Sequence, residues 1–282
     1  YGILTGEYAS RSKSIQDEYP ISTHAFIRWN TDIISGDYTI GNVLQQFNYK
    51  TGFVGKWHNW KKGYPDLLQV PYRADPNDDF IKERIHENYL KVQSHIKETG
   101  GFDYADAIYA SNLLWLPSTS RLMHHNQHWV TYHALDFIEK YKEEPFFLYF
   151  STTLPHGPNP LNTLEENENR VTPAGYKDKH VNIQPSYNNI LQRVENADRS
   201  DYPGSKGRYA AMVWIDDAVG VLLKKLADLE ILENTIILFA SDHESEGKMV
   251  LNKGRVPFIA SWKNHWPEGE VNESLASNID IA

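Results

Sequence analysis

Cysteine is absent from the 282 residues, which excludes disulfides, a thiol nucleophile and a cysteine-based metal site within them. Long apolar runs are also missing. A run such as Ile236-Ile237-Leu238-Phe239-Ala240 is far shorter than the roughly 20 residues a bilayer-crossing helix needs, so no membrane span is expected. No basic-then-apolar leader is visible in the residues shown. Positive charge is in deficit: 28 Lys and Arg face 37 Asp and Glu, a net charge of −9. That balance excludes a general polyanion or nucleic-acid binder, so an anionic ligand would have to be held by a local cluster of cations. There is neither an internal repeat nor a low-complexity tract.

What is present is ordinary for a globular domain, with 40% hydrophobic and 23% charged residues, and it is rich in aromatics, with 8 Trp and 17 Tyr. Thr39 is placed to cap a short helix with Ile40, Val43, Leu44 and Phe47 on one face. A short buried strand is expected at residues 51–54. The spacing predicts helices over 81–98 (Ile81, Ile85, Tyr89, Val92), 127–142 (Val130, Ala134, Phe137, Ile138, Tyr141) and 207–228 (Met212, Ile215, Val219, Leu222, Leu223, Leu226). Residues 59–80 and 159–206 read as polar excursions, and 99–125 as irregular. Phe146–Phe150 reads as a central strand covered on both faces, with further strands at Ile236–Ala240 and Val256–Ala260. Alternating helices and apolar strands indicate an α/β fold, a mainly parallel central sheet flanked by helices, in a single domain over residues 1–282.

The chemistry collects where these strands end. Gly55-Lys56-Trp57-His58 comes directly after the first. If the chain stays extended there, period-two geometry puts Lys56 and His58 on one side, a cation and an imidazole suited to an anion. His156 comes after the second in a loop stiffened by Pro155 and Pro158, and Asp242 and His243 come after the third. Ligands of open α/β sheets bind at the carboxyl ends of strands, so these five groups are expected to converge. Asp242 suits a hard cation, with an N-cap as its plainer role. His124, His125 and His128, with His133 nearby, have zinc-like spacing but no His-Glu-x-x-His arrangement. Asp216 and Asp217 diverge by about 100° on a helix and suit surface charge better than chelation.

These segments together resemble a family. Tyr49-Lys50-Thr51-Gly52 with Gly55-Lys56-Trp57-His58 resembles the second signature of the type I, formylglycine-dependent sulfatases of the alkaline phosphatase superfamily. Pro145–Tyr149 through Pro155-His156-Gly157-Pro158 is similar to their central histidine motif, and Glu233-Asn234-Thr235 through Ser241-Asp242-His243 to their late metal-binding strand. Gly247-Lys248 and Arg255–Ile259 resemble the segment after it, and Tyr1–Tyr8 resembles the residues just past their first signature. The resemblance implies a nucleophile motif about five residues before Tyr1, a first strand upstream, and a C-terminal subdomain beyond Ala282. It implies hydrolysis of sulfate esters, on a sulfated carbohydrate, with formylglycine and calcium, in a periplasmic or extracellular protein. Lys56 and His58 would hold the formylglycine diol, His156 and Lys248 would bind sulfate, His156 would protonate the leaving oxygen, and Asp242 and His243 would bind calcium. His243 stands where many members have Asn and Glu244 where many have Gly, and Lys253 competes with Lys248 for the sulfate role. A phospho- or phosphonate-ester hydrolase of the same superfamily and an inactive glycan-binding relative are the competing readings.

Overall fold

The structure is a computed structural model and describes residues 1–20, 22–24, 31–61, 63–166, 170–178, 183–200, 204–243 and 256–282. Its elements, in order, are α1 (Gly2–Thr5), α2 (Lys13–Glu18), α3 (Ile40–Gln46), β1 (Lys50–Lys56), α4 (Asp79–Gly100), β2 (Tyr104–Tyr109) and α5 (Gln127–Tyr141). They continue with β3 (Phe146–Ser151), α6 (Leu161–Glu166), α7 (Tyr187–Asn196), α8 (Lys206–Asp228), β4 (Ile237–Ala240) and β5 (Phe258–Ser261).

Strand β1 runs down the middle of a parallel sheet ordered β2–β1–β3, paired from Lys50 opposite Phe146 to Gly55 opposite Ser151. Its residues 51–55 are all buried, and Phe53 and Val54 are at most 1% exposed, as a strand covered on both faces requires. Helix α4 packs on β2 of this sheet and α5 on all three of its strands. Their stripes match the expected periods, with Ile85, Tyr89, Val92 and Ile96 buried on α4 and Val130, Ala134, Phe137 and Ile138 on α5. Asp78 caps α4 through the amides of Phe80 and Ile81, and Gly101, with φ 71°, ends it.

Several expectations are corrected. The irregular 99–125 stretch contains β2, whose Tyr-Ala-Asp-Ala-Ile-Tyr sequence has weak strand propensity; Asp106 is accommodated because its carboxylate accepts from the Tyr89 hydroxyl and the Ala107 amide. The central position belongs to β1. Among the described strands β3 pairs on one side only, and all six of its residues are half-buried. Strands β4 and β5 pair antiparallel with each other, in a separate two-stranded sheet. Thr39 caps α3 as expected, and Asn42 completes a capping box, yet Val43 and Phe47 are exposed. The buried position of α3 is Gly41, where a Cβ would lie 2.6 Å from the Gly100 carbonyl, because the helix packs backbone against backbone on the end of α4. On α8 Ile215 and Leu226 are buried as expected, joined by Gly207, Ala210, Ala211, Trp214 and Ala218, whereas Met212 is exposed. The polar 159–206 excursion contributes α6 and α7, which bury Leu161, Leu164, Tyr187, Ile190 and Val194 against Trp214 in a core of their own.

Candidate active site

Gly55 sets the geometry of the first motif. Its φ is 100°, and a Cβ there would lie 1.6 Å from the Ser151 carbonyl oxygen, so only glycine lets β1 pass the end of β3 this closely. At the same point the pairing with β2 shifts by one residue, a bulge that leaves Ala107 at φ 49°. Beyond it, half-buried Lys56 lies opposite Tyr109. Trp57 is 2% exposed, edge-on to Phe53 at 5.2 Å, and anchors the motif in the core. The chain does not stay extended, because His58 adopts a left-handed backbone with φ 57°. Period-two geometry therefore does not place its imidazole. A non-glycine residue in that conformation costs of order 1–3 kcal/mol and persists where surrounding structure holds it, here the bond from its amide to the Ala110 carbonyl.

His156 sits in the loop beyond β3, the strand next to β1. That loop is tied to the start of α5. Thr152 donates to Gln127 Oε1 at 2.6 Å, His125 Nδ1 lies 2.8 Å from Thr153 Oγ1, and His125 Nε2 lies 2.9 Å from the Pro158 carbonyl. A carbonyl only accepts, so Nε2 carries the proton, and Nδ1 accepts from the Thr153 hydroxyl. Burial, with smaller opposing contributions from its hydrogen bonds, lowers the pKa of His125 to about 4, so this ring is a neutral brace. Within the histidine run of zinc-like spacing, His125 thus has a structural task in the His156 loop.

The two motifs meet at a residue from the stretch expected to be irregular. Trp115 ends the 3-10 turn Leu113–Trp115 beyond β2, and its ring lies 6.3 Å from that of His58 and 6.3 Å from that of His156. Its signal in the sequence is the apolar run Leu113-Leu114-Trp115 a few residues past Tyr109, legible only once β2 is known to be a strand. Asp242 and His243 form a second group at the end of β4. His243 Nε2 is 3.4 Å from Asp242 Oδ2, and Asp242 Oδ1 accepts from the His243 amide, a local turn in place of the helix cap. Strand β4 reaches the parallel sheet through Ile237, which packs with Phe146 and Leu148 of β3 around Phe137 and Leu226, and the Asp242 charge adds to burial in raising the Tyr149 phenol well above its ordinary range. The structure therefore brings His58 and His156 together at adjacent strand ends, with Lys56 beside them, and carries Asp242 and His243 on a different sheet. Lys248, Lys253 and Glu244 lie outside the described residues.

As a calcium site the second group is incomplete. Calcium takes six to eight oxygen ligands; Asp242 supplies a carboxylate, but imidazole is a poor partner for a hard cation. Among the described residues no three His, Asp or Glu side chains are grouped to hold a metal ion. Two cavities lie elsewhere. One of about 520 Å³ lies between α7 and α8, and one of about 210 Å³ between residues 63–72 and 116–118.

Against known proteins, the sulfatase family model matches residues 1–282. The chain belongs to the sulfatase family. An ulvan-active sulfatase of Formosa agariphila is 25% identical over 237 residues, covering 83% of this chain and 40% of its own length. The N-acetylgalactosamine-6-sulfatase of Sus scrofa is 28% identical over 284 residues, covering 87% of this chain and 43% of its own. This sulfatase-family chain thus spans less than half the length of those two relatives. In fold it resembles the solved PsFucS1 sulfatase from Pseudoalteromonas sp., with a TM-score of 0.55 at 20% identity, covering 99% of this chain and 55% of that one. The parallel sheet flanked by helices is that of these sulfatases.

Proposed function

We propose that residues 1–282 form the catalytic part of a sulfate-ester hydrolase acting on a sulfated carbohydrate. One observation carries the reading: His58 and His156 flank one point at the carboxyl ends of two adjacent parallel strands, with Lys56 at the same edge. Sulfated saccharides are the substrate class because relatives are named for ulvan and for N-acetylgalactosamine 6-sulfate.

Members of the family generally use a formylglycine and a divalent metal ion, which supply the attacking hydroxyl and neutralise sulfate charge. In this chain Lys56 offers a fixed positive charge to sulfate or to the nucleophile's oxygens, together with the imidazole of His58. His156, on a braced loop, gives its proton to the departing alcohol oxygen, so that the oxygen leaves as a neutral hydroxyl. Asp242 is the carboxylate offered to the metal, with His243 beside it, and Lys248 is a second cation for sulfate. Export to the periplasm or the cell exterior accords with the family, and no helix among the described residues is long and apolar enough to cross a membrane.

The test is a screen of defined sulfated saccharides, with matched phosphate esters, using the full-length protein after mass confirmation of its formylglycine. Desulfation is expected, and the His156→Ala variant should lose about 10²- to 10⁴-fold in kcat. Phosphate esters turned over in preference to sulfates would overturn the reaction class. A near wild-type rate in the variant would remove His156 from the role of acid.

A further inference from the structure

The indole of Trp115 has no part in the chemistry above, yet its ring lies 6.3 Å from each of the two imidazoles that do. It is 49% exposed, an unusual state for so large an apolar ring, and the backbone beneath it is fixed. Leu113 is 1% exposed and Asn112 2% exposed; the Trp115 amide donates to the Asn112 carbonyl at 2.9 Å; and Leu114 packs toward the His156 loop, where a Cβ on Gly157 would meet its Cδ1 at 3.4 Å. Both imidazoles approach the indole edge-to-face, at 60° and 67°, so neither lies flat on it.

We propose that Trp115 is the platform on which the sugar ring carrying the sulfate ester stacks. This rests on the sulfatase reading of the same site and adds the residue that selects the alcohol part of the substrate. A pyranose presents one face of C–H groups with partial positive charge. The indole face carries the negative side of an aromatic quadrupole and a large apolar area, so the two complement each other without any hydrogen bond. With both imidazoles 6.3 Å from the indole, the platform sets the sugar ring where the bridging ester oxygen can reach the His156 proton.

The full-length protein and its Trp115→Ala and Trp115→Phe variants are tested against inorganic sulfate and a panel of sulfated monosaccharides. Binding is read by saturation transfer to the sugar ring protons and by calorimetry, and turnover is read alongside. In Trp115→Ala, saccharide affinity and kcat/KM are expected to fall about tenfold or more with sulfate affinity unchanged, and Trp115→Phe should recover part of the loss. Equal weakening of sulfate and saccharide would make the effect one of pocket integrity and overturn the platform. Unchanged saccharide binding in Trp115→Ala, or a wild type that binds sulfate and no panel sugar, would overturn it as well. A wild type with no sulfate-ester turnover, whose saccharide binding is still lost in Trp115→Ala, would refute the hydrolase reading and leave the platform standing.

Discussion

Buried histidines distinguish this chain at the scale of single residues. Burial first, then neighbouring positive charge, lowers His124 to about 3, and burial lowers His125 to about 4, both from an ordinary 6.5. Burial shifts His95 and His133 in the same direction. In each case the unfolded chain binds the proton more readily than the folded one, so the stability these rings contribute is full above pH 6.5 and is lost as pH falls, down to about 4 for His125 and about 3 for His124. Asp32 opposes them. Burial raises its carboxyl to about 6, so it binds a proton on folding and gains stability over part of the same window. One unmatched proton is about 1.4 kcal/mol per pH unit, so a net loss of at least that slope is expected between pH 6 and 5. Urea unfolding at stepped pH measures it. The slope should shrink by up to one proton in His125→Gln, and a flat profile in the wild type would contradict the burial argument.

At the level of elements, the crossing of β1 over the end of β3 is the most exacting feature. Gly55→Ala meets both a positive φ and the Ser151 carbonyl, so a loss of at least about 3 kcal/mol is expected, together with loss of activity, since the same crossing orients Lys56 and the His156 loop. Thermal unfolding of the variant checks it; a midpoint within two or three degrees of wild type would mean the strands part without cost. The long helices and β1 are legible in the sequence because their apolar residues recur at helical or strand period over many positions. Strand β2 is not, since Asp106 interrupts it and the Tyr89 hydroxyl that satisfies that carboxylate lies on another element. The buried stripe of α8 differs from the expected one for a related reason. Large residues such as Met212 dominate a reading by period, whereas small Ala210 and Ala211 pack with Tyr187, Ile190 and Val194 of α7.

At the scale of the whole molecule, the question is how the histidine cluster and the Asp242 group act on one substrate. If Asp242 holds the metal that neutralises sulfate charge, removing calcium with a chelator should abolish turnover, and adding calcium back should restore it. Full activity after exhaustive chelation would take Asp242 out of the site. Taken alone, the sequence determined the family and the chemical inventory. Lys56, His58, His156 and Asp242 are recognisable because each closes a local strand-then-loop pattern, and local patterns are written in consecutive residues. Tertiary structure alone decided which of these groups meet. The separation of β1 from β3 by some 100 residues is bridged by parallel hydrogen bonding, and a left-handed backbone at His58 replaces the extended chain its spacing suggests. Trp115 belongs to the site for the same reason: contacts between residues distant in the chain depend on strand order and burial, which no single segment encodes.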